Sequence, residues 1–199
     1  MVRQISFALK PTITGDLVTL RPVSADDAAG LAAVSPETLR LTGTHSGPFS
    51  LDELRAWYGS RAEHADRLDL AVVERSTGRW AGEVVLMNLD PVNRSCGFRI
   101  LLAGPEFYGR GLGTEATRLV LGHAFDLVGV HRVELTVYAF NPRAQHVYRK
   151  IGFVPEGIKR QSLLWDGEWV DAELMSMLAP EWASHRGTPG AAEGAARDA

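Results

Sequence analysis

The sequence has a single cysteine and no long apolar run. Cys96 stands alone among 199 residues, which excludes an internal disulfide bond and suits a reducing cytoplasm. No apolar stretch approaches the ~18 residues of a membrane span. The N-terminus also lacks the charged, apolar and small-residue regions of a signal peptide. We therefore expect a cytoplasmic protein that has no attachment to a membrane.

An excess of charge of one sign is also missing. The 21 basic and 24 acidic residues give a formal net charge of −3, and no basic run of five or more residues occurs. The sequence thus gives no electrostatic reason to expect a nucleic-acid partner. The six histidines form neither an i, i+4 pair nor a cluster with the cysteine, so we expect no metal site.

The hydrophobic content of 45% is enough for one buried core in a chain of this length. Residues 1–16 are interpreted as an N-terminal extension and 17–182 as one α/β domain. Residues 183–199 are rich in Gly, Ala, Pro and charge, so we expect a disordered C-terminal tail. Periodicity and turn residues predict about four helices and seven strands. The strands are predicted at 17–21, 68–75, 80–89, 96–102, 131–138, 157–164 and 168–178.

A glycine-rich segment follows the strand predicted at 96–102. Because glycine has no Cβ, successive N–H groups there can turn towards a pyrophosphate at the start of a helix. The spacing Gly-x-Gly-x-Gly fits neither the dinucleotide fingerprint nor a nucleoside triphosphate loop, which leaves a diphosphate bound without a catalytic metal. The alternative is a loop that binds no ligand. The segment consists of Tyr108, Gly109, Arg110, Gly111, Leu112, Gly113 and Thr114.

A second segment carries the signals of a short helix. Asn141 is a natural N-cap, Pro142 occupies the first helical position and Gly152 stands at the C-cap. One face of this helix is formed by Ala144, Val147, Tyr148 and Ile151.

Together the two segments resemble the GNAT superfamily of acyl-CoA-dependent N-acyltransferases, over residues 17–178. In that family the first segment is the pyrophosphate loop. The second, Asn-x-x-Ala-x-x-x-Tyr-x-x-x-Gly-Phe here, lies beside the pantetheine arm. Tyr108 stands where the family usually has Arg or Gln. This aromatic residue and the closing hairpin resemble the branch of the ribosomal-protein alanine acetyltransferases.

The resemblance implies a mixed, mostly antiparallel sheet of six to seven strands, splayed at the acyl-CoA site and flanked by about four helices. It implies direct transfer of an acetyl or other short acyl group from acyl-CoA to a primary amine. The acceptor could be a protein N-terminus, an amino acid, a polyamine or an aminated antibiotic, and a homodimer is compatible with the family. The alternative function is an acyl-CoA-binding regulatory or catalytically inactive relative.

The resemblance also implies roles for single residues. The acyl arm should pair with backbone groups of Leu101, Leu102 and Ala103. Tyr148 should protonate the leaving thiolate, and packing under the helix is its structural alternative. Asn141 should contact the pantetheine arm or an ordered water in addition to capping its helix. Ala144 should lie beside the same arm.

Glu83 is the candidate for the general base. It lies in the strand predicted at 80–89 among apolar residues, where a carboxylate that faces a cleft would have a raised pKa. An equally weighted alternative is an edge-facing residue or a salt bridge with Arg99. Glu106, in a loop, is a weaker candidate, and Glu134 is expected to be an exposed strand residue.

Overall fold

The sheet is mixed and mostly antiparallel, as the sequence predicts. The computed structural model describes residues 5–44 and 50–186. Within these ranges eight strands follow the order β1-β2-β3-β4-β5-β6-β8-β7. Only the neighbours β5 and β6 are parallel. The strands are β1 Ile13–Thr14, β2 Val18–Pro22, β3 Leu68–Glu74, β4 Trp80–Asp90, β5 Ser95–Leu102, β6 Arg132–Tyr138, β7 Val154–Trp165 and β8 Glu168–Leu178.

The helices begin where the sequence places capping residues. Ser50 and Glu53 form a reciprocal capping box, with N···O distances of 2.7 and 3.1 Å. The backbone φ of Gly152 is 118°, which ends α5 as expected. The α-helices of the described chain are α1 Ala28–Ala32, α2 Pro36–Arg40, α3 Leu51–Ser60, α4 Leu112–Gly122, α5 Pro142–Ile151 and α6 Ala179–His185.

The two faces of the sheet pack against different helices. One face carries the main core, in which Leu70, Leu86 and Phe98 pack with residues of α4 and α5. The opposite face carries a smaller cluster under α1 and α3, centred on the fully buried Tyr58. Because side chains alternate along a strand, each residue of β5 belongs to one face or the other.

Part of the predicted N-terminal extension belongs to the folded domain. Phe7 is fully buried, and β1 pairs with β2. The carboxylate of Glu115 in α4 accepts the N–H groups of Asp16, Leu17 and Val18 at 2.7–2.9 Å. The domain boundary expected at residue 17 is therefore too late. This connection joins residues about a hundred positions apart.

The first residues of the predicted tail belong to the folded domain. Helix α6 extends to His185, and Trp182 in it packs on the core and donates to Asp126. Residues 183–185, which the sequence assigns to a disordered tail, are thus helical. Residues 187–199 lie outside the described residues, as do 1–4.

Strands β5 and β6 separate soon after they begin to pair. Their parallel register covers Ser95–Arg132, Cys96–Val133 and Gly97–Glu134, and no further pair between them occurs in the described chain. The remainder of β5 therefore leaves one backbone edge open beside β6. This confirms the predicted splay.

Gly82 allows β4 to approach β5 closely. Its φ is 142°, and a Cβ built on it would stand 1.9 Å from the backbone oxygen of Leu101. A backbone atom cannot move aside as a flexible side chain can. Strand β4 therefore requires glycine at position 82 in order to lie this close to β5.

We predict that Gly82→Ala lowers the free energy of unfolding by roughly 2–5 kcal/mol, from the clash and the unfavourable φ. Urea denaturation measures this effect. Gly59→Ala is the control, because a Cβ there meets nothing within 4 Å and Gly59 lies in a helix. The control should gain about 0.5–1 kcal/mol. Equal stability of Gly82→Ala and the wild type would contradict the steric argument.

Candidate active site

The splay of β5 and β6 opens into a cavity of about 660 Å³. It is bounded by the glycine-rich loop, the start of α4, one side of α5 and the loop after α2. Most of the residues expected to bind the cofactor or to act in catalysis line this cavity. The lining residues among them are Leu101, Leu102, Tyr108, Gly109, Gly111, Leu112, Gly113, Thr114, Asn141, Ala144 and Tyr148. Glu83, Ala103 and Arg110 are not among the described lining residues.

The glycine-rich loop presents free backbone amides to the cavity. Gly109 and Gly111 have φ values of 70° and 81°, which other residues rarely adopt. Gly111 is the N-cap of α4 and has no side chain to cap the helix. In the described chain, the N–H groups of Leu112, Gly113 and Thr114 therefore have no partner. Such a helix start favours an anion.

Arg110 points away from this helix start. Its guanidinium pairs with the buried carboxylate of Glu74 and donates to the carbonyl oxygen of Glu106 at 3.2 Å. The hydrogen bond from Thr77 is the largest cause that lowers the pKa of Glu74, and Arg110 adds to it. The Arg110 side chain is thus a structural link between the loop and β3.

Tyr108 forms part of the cavity wall together with Arg143. The guanidinium carbon of Arg143 lies 3.7 Å from the centre of the Tyr108 ring, a cation–π geometry. This pair brings a positive charge beside the free amides.

The open edge of β5 offers different backbone groups from those expected. The N–H of Ala103 donates to the oxygen of Ala81 in β4 at 2.9 Å. In an antiparallel pair successive residues alternate in direction, so Leu101 also turns its backbone groups to β4. Leu102 and Ile100 therefore face the open edge. Of the three residues expected to pair with the acyl arm, Leu102 alone turns its backbone groups to the open edge, where Ile100 joins it.

Tyr148 places an unpaired hydroxyl at the cavity. Its ring packs edge-on against Phe98 and Phe153, with centroid distances of 6.0 and 5.8 Å. The side chain is only 8% exposed, and its hydroxyl makes no hydrogen bond within the described residues. Burial raises the pKa of Tyr148, so the hydroxyl keeps its proton at neutral pH.

Asn141 joins α5 to the segment after α2. Its Oδ1 accepts the N–H of Ala144 at 3.2 Å, which confirms the N-cap. Its Nδ2 donates to the carbonyl oxygen of Leu41 at 3.3 Å. Leu41 and Asn141 line the same cavity, so this bond closes one of its walls.

Glu83 does not face the cleft, contrary to the expectation for a base. It is 1% exposed and lies on the sheet face under α3. Its Oε1 accepts from Arg99 and its Oε2 from the hydroxyl of Tyr58, both at 2.6 Å. Burial is the largest cause that raises the pKa of Tyr58, and the charge of Glu83 adds to it. The salt bridge with Arg99, the alternative reading of the sequence, is the observed arrangement.

Part of the cavity wall lies on the face away from α4 and α5, and sequence reasoning largely missed it. Glu134 lines this part although it was expected to be merely exposed, and Arg132 contacts its carboxylate at 3.0 Å. Side chains alternate along β6, and Val133 and Leu135 are apolar. The alternation could therefore have assigned Glu134, which lies between them, to the opposite face. Other lining residues there are Thr38, Leu41, Thr42, Arg99, Thr136 and Tyr138.

The comparison with protein families shows which family the chain belongs to. The acetyltransferase (GNAT) domain family matches residues 18–154. The chain belongs to the GNAT family. It is an acyl-CoA-dependent N-acetyltransferase, and its family uses acetyl-CoA.

Characterised relatives and a solved structure agree with this assignment. Spermidine N(1)-acetyltransferase of Escherichia coli K12 is 30% identical over 125 residues, which cover 63% of this chain and 67% of that protein. The ribosomal protein uS5-alanine N-acetyltransferase of Escherichia coli K12 is 30% identical over 83 residues, 42% of this chain and 43% of that protein. The putative ribosomal N-acetyltransferase YdaF of Bacillus subtilis is 29% identical over 178 residues, 85% of this chain and 95% of that protein. Likenesses to ribosomal and to spermidine enzymes therefore both extend over most of the chain.

The fold of this GNAT protein is similar to spermidine N-acetyltransferase from Vibrio cholerae, solved in complex with CoA and spermine. The TM-score is 0.76 at 24% identity, covering 85% of this chain and 99% of that one. Within residues 5–44 and 50–186, no helix is long and apolar enough to cross a membrane. The same residues contain no group of three or more His, Cys, Asp or Glu side chains suited to a metal ion.

Proposed function

We propose that this GNAT protein transfers the acetyl group of acetyl-CoA directly to the primary amine of a small molecule or a protein N-terminus. One observation carries the proposal: a single cavity joins the open edge of β5, the free amides at the start of α4 and the unpaired hydroxyl of Tyr148. The names of two relatives specify spermidine and a ribosomal-protein alanine, which are both amine acceptors.

The proposed position of the cofactor follows the polarity of the cavity. The pyrophosphate contacts the amides of Leu112, Gly113 and Thr114, because the helix start carries a partial positive charge. The loop glycines at 109 and 111 allow the approach, and Arg143 over Tyr108 adds positive charge nearby. The pantetheine arm then runs along the open edge of β5, past Asn141 and Ala144.

The proposed chemistry needs a proton at the departing sulfur. The amine nitrogen attacks the thioester carbon, a C–N bond forms and the C–S bond breaks. A free N–H on the open edge of β5 stabilises the oxyanion. Tyr148 gives its proton to the thiolate, which its position and protonated state support.

Removal of a proton from the acceptor ammonium is assigned to water. Both oxygens of Glu83 already accept hydrogen bonds, and Glu83 does not line the cavity among the described residues. Glu134, in contrast, is a carboxylate that lines the cavity.

The alternative function is a CoA-binding relative without turnover. The one observation that favours it is that both oxygens of Glu83 already accept hydrogen bonds. Release of free thiol from acetyl-CoA in the presence of a panel of amines distinguishes the two functions.

We predict that Thr114→Asp lowers the affinity for CoA roughly 10-fold or more, because the new carboxylate repels the pyrophosphate. The thermal stability should not fall, since Asp is favoured in the first turn of a helix. Thr114→Asn, which has the same size without the charge, should lose much less affinity. Calorimetric titration with CoA measures all three proteins. Full affinity in Thr114→Asp would place the pyrophosphate elsewhere.

We predict that Tyr148→Phe lowers kcat by about 10²-fold and changes the KM for acetyl-CoA little, because the ring still packs and only the proton donor is lost. Steady-state kinetics that follow thiol release provide the measurement. Tyr138→Phe removes another cavity hydroxyl and should leave kcat within about 3-fold. If both variants lost the same fraction of kcat, a specific proton transfer from Tyr148 would be excluded.

A further inference from the structure

Arg99 lies on the face of β5 that is turned away from α4 and α5. Phe98 and the neighbouring Cys96 belong to the core against which α4 and α5 pack. By strand alternation Arg99 points to the opposite face, where it lines the cavity. It stands two residues beyond Gly97, the last residue of β5 that pairs with β6. Arg99 is therefore close to the point where the two strands separate.

The guanidinium of Arg99 is firmly held but incompletely paired. Its Nη2 donates to Glu83 at 2.6 Å, and Glu83 in turn accepts from Tyr58. Its Nε is buried without a partner, and Nη1 makes no hydrogen bond within the described chain. Because Nε has no accessible surface, the donors left for a ligand in the cavity are those of Nη1 and the second N–H of Nη2.

The arrangement fits an anion better than an additional cation. Guanidinium groups bind carboxylates through two parallel hydrogen bonds, and Arg99 is fixed in place before a ligand arrives. The side chain is 30% exposed, so its charged end can be reached from the cavity. Among the described lining residues Arg99, Arg143 and Lys150 are cationic, and the only carboxylate is Glu134, which shares Arg132 with Glu156. The described lining as a whole therefore carries more positive than negative charge, which favours an anionic acceptor over a polyamine.

We propose that Arg99 binds a carboxylate of the acceptor, so that the acceptor is a small primary amine that also carries a carboxylate. Glu83 and Tyr58 are positioning residues that fix the guanidinium. This inference rests on the proposed acetyl transfer and specifies its acceptor class. It assigns the buried charge of Glu83 to substrate recognition rather than to removal of a proton.

A matched set of acceptors tests the proposal with the wild-type protein. Butylamine, 4-aminobutanoate and butane-1,4-diamine share one reacting amine and differ at the far end, which is neutral, anionic or cationic. The expected order of kcat/KM is aminobutanoate first, about 10-fold or more above butylamine, with the diamine last. The same series with three, five and six carbons covers the unknown distance between amine and carboxylate. A diamine that ranks first throughout would overturn the proposal.

Paired variants separate binding by Arg99 from general damage to the fold. The double variant Arg99→Gln, Glu83→Gln removes both charges, so that neither is left buried without a partner. Its preference for aminobutanoate over butylamine should fall below about 3-fold, because the KM for the carboxylate rises by a larger factor than the KM for butylamine. Glu83→Gln alone keeps the guanidinium but removes the carboxylate that fixes it, so this variant should be less stable and should lose part of the preference. Arg99→Lys should restore part of it.

The outcomes distinguish this proposal from the proposed function. Absence of thiol release with every amine of the panel, while calorimetry still shows CoA binding, overturns acetyl transfer and this inference together. Release with all amines but without preference for a carboxylate overturns this inference alone. A double variant that loses activity equally on all three acceptors also overturns it, because Arg99 would then be structural.

Discussion

The early end of the pairing between β5 and β6 is the constraint on which the site depends. After Gly97 the strands diverge, and the backbone groups of Ile100 and Leu102 are left without a strand partner. Backbone polar groups lined up in this way require a substitute, which an extended ligand with amide groups can supply. One side of β5 thus lacks hydrogen bonds within the sheet and is available to a ligand. Gly82 allows the other side of β5 to pack closely against β4.

Strand alternation separates the side chains on the two sides of the opening, which we propose to bind two different substrates. Along β5, Phe98 packs against Tyr148 on the side of α4 and α5, where the free amides lie. The next residue, Arg99, points to the other face and meets Glu83 under α3. A shift of one residue in the register of β5 would exchange the two sets of side chains. The antiparallel ladder with β4 therefore fixes which side chains face the proposed cofactor side and which face the proposed acceptor side.

Local signals in the sequence were sufficient for the helix starts and the glycine loop, because each depends on residues within a few positions. The splayed sheet was expected from the resemblance to the GNAT superfamily. Contacts between distant segments could not be predicted. Glu115 accepts amides of residues 16–18, and Tyr58 reaches Glu83 from another element. The two-residue β1 is too short to show the alternation of a strand, and α2 is too short to show a clear helical pattern. The direction of the backbone at Ala103 became apparent only from its bond to Ala81.

The position of Glu83 shows why a buried carboxylate in a strand is a weak indication of a base. To act as a base it would have to accept a proton, and protonation would remove the counter-charge of Arg99 inside the protein. A buried ion pair that loses one partner is strongly destabilised. Tyr58 donates a second hydrogen bond to the same carboxylate, so both of its oxygens already accept hydrogen bonds. The three residues work as one unit only while Glu83 stays ionised, so its charge is better suited to hold a cation in place than to carry protons.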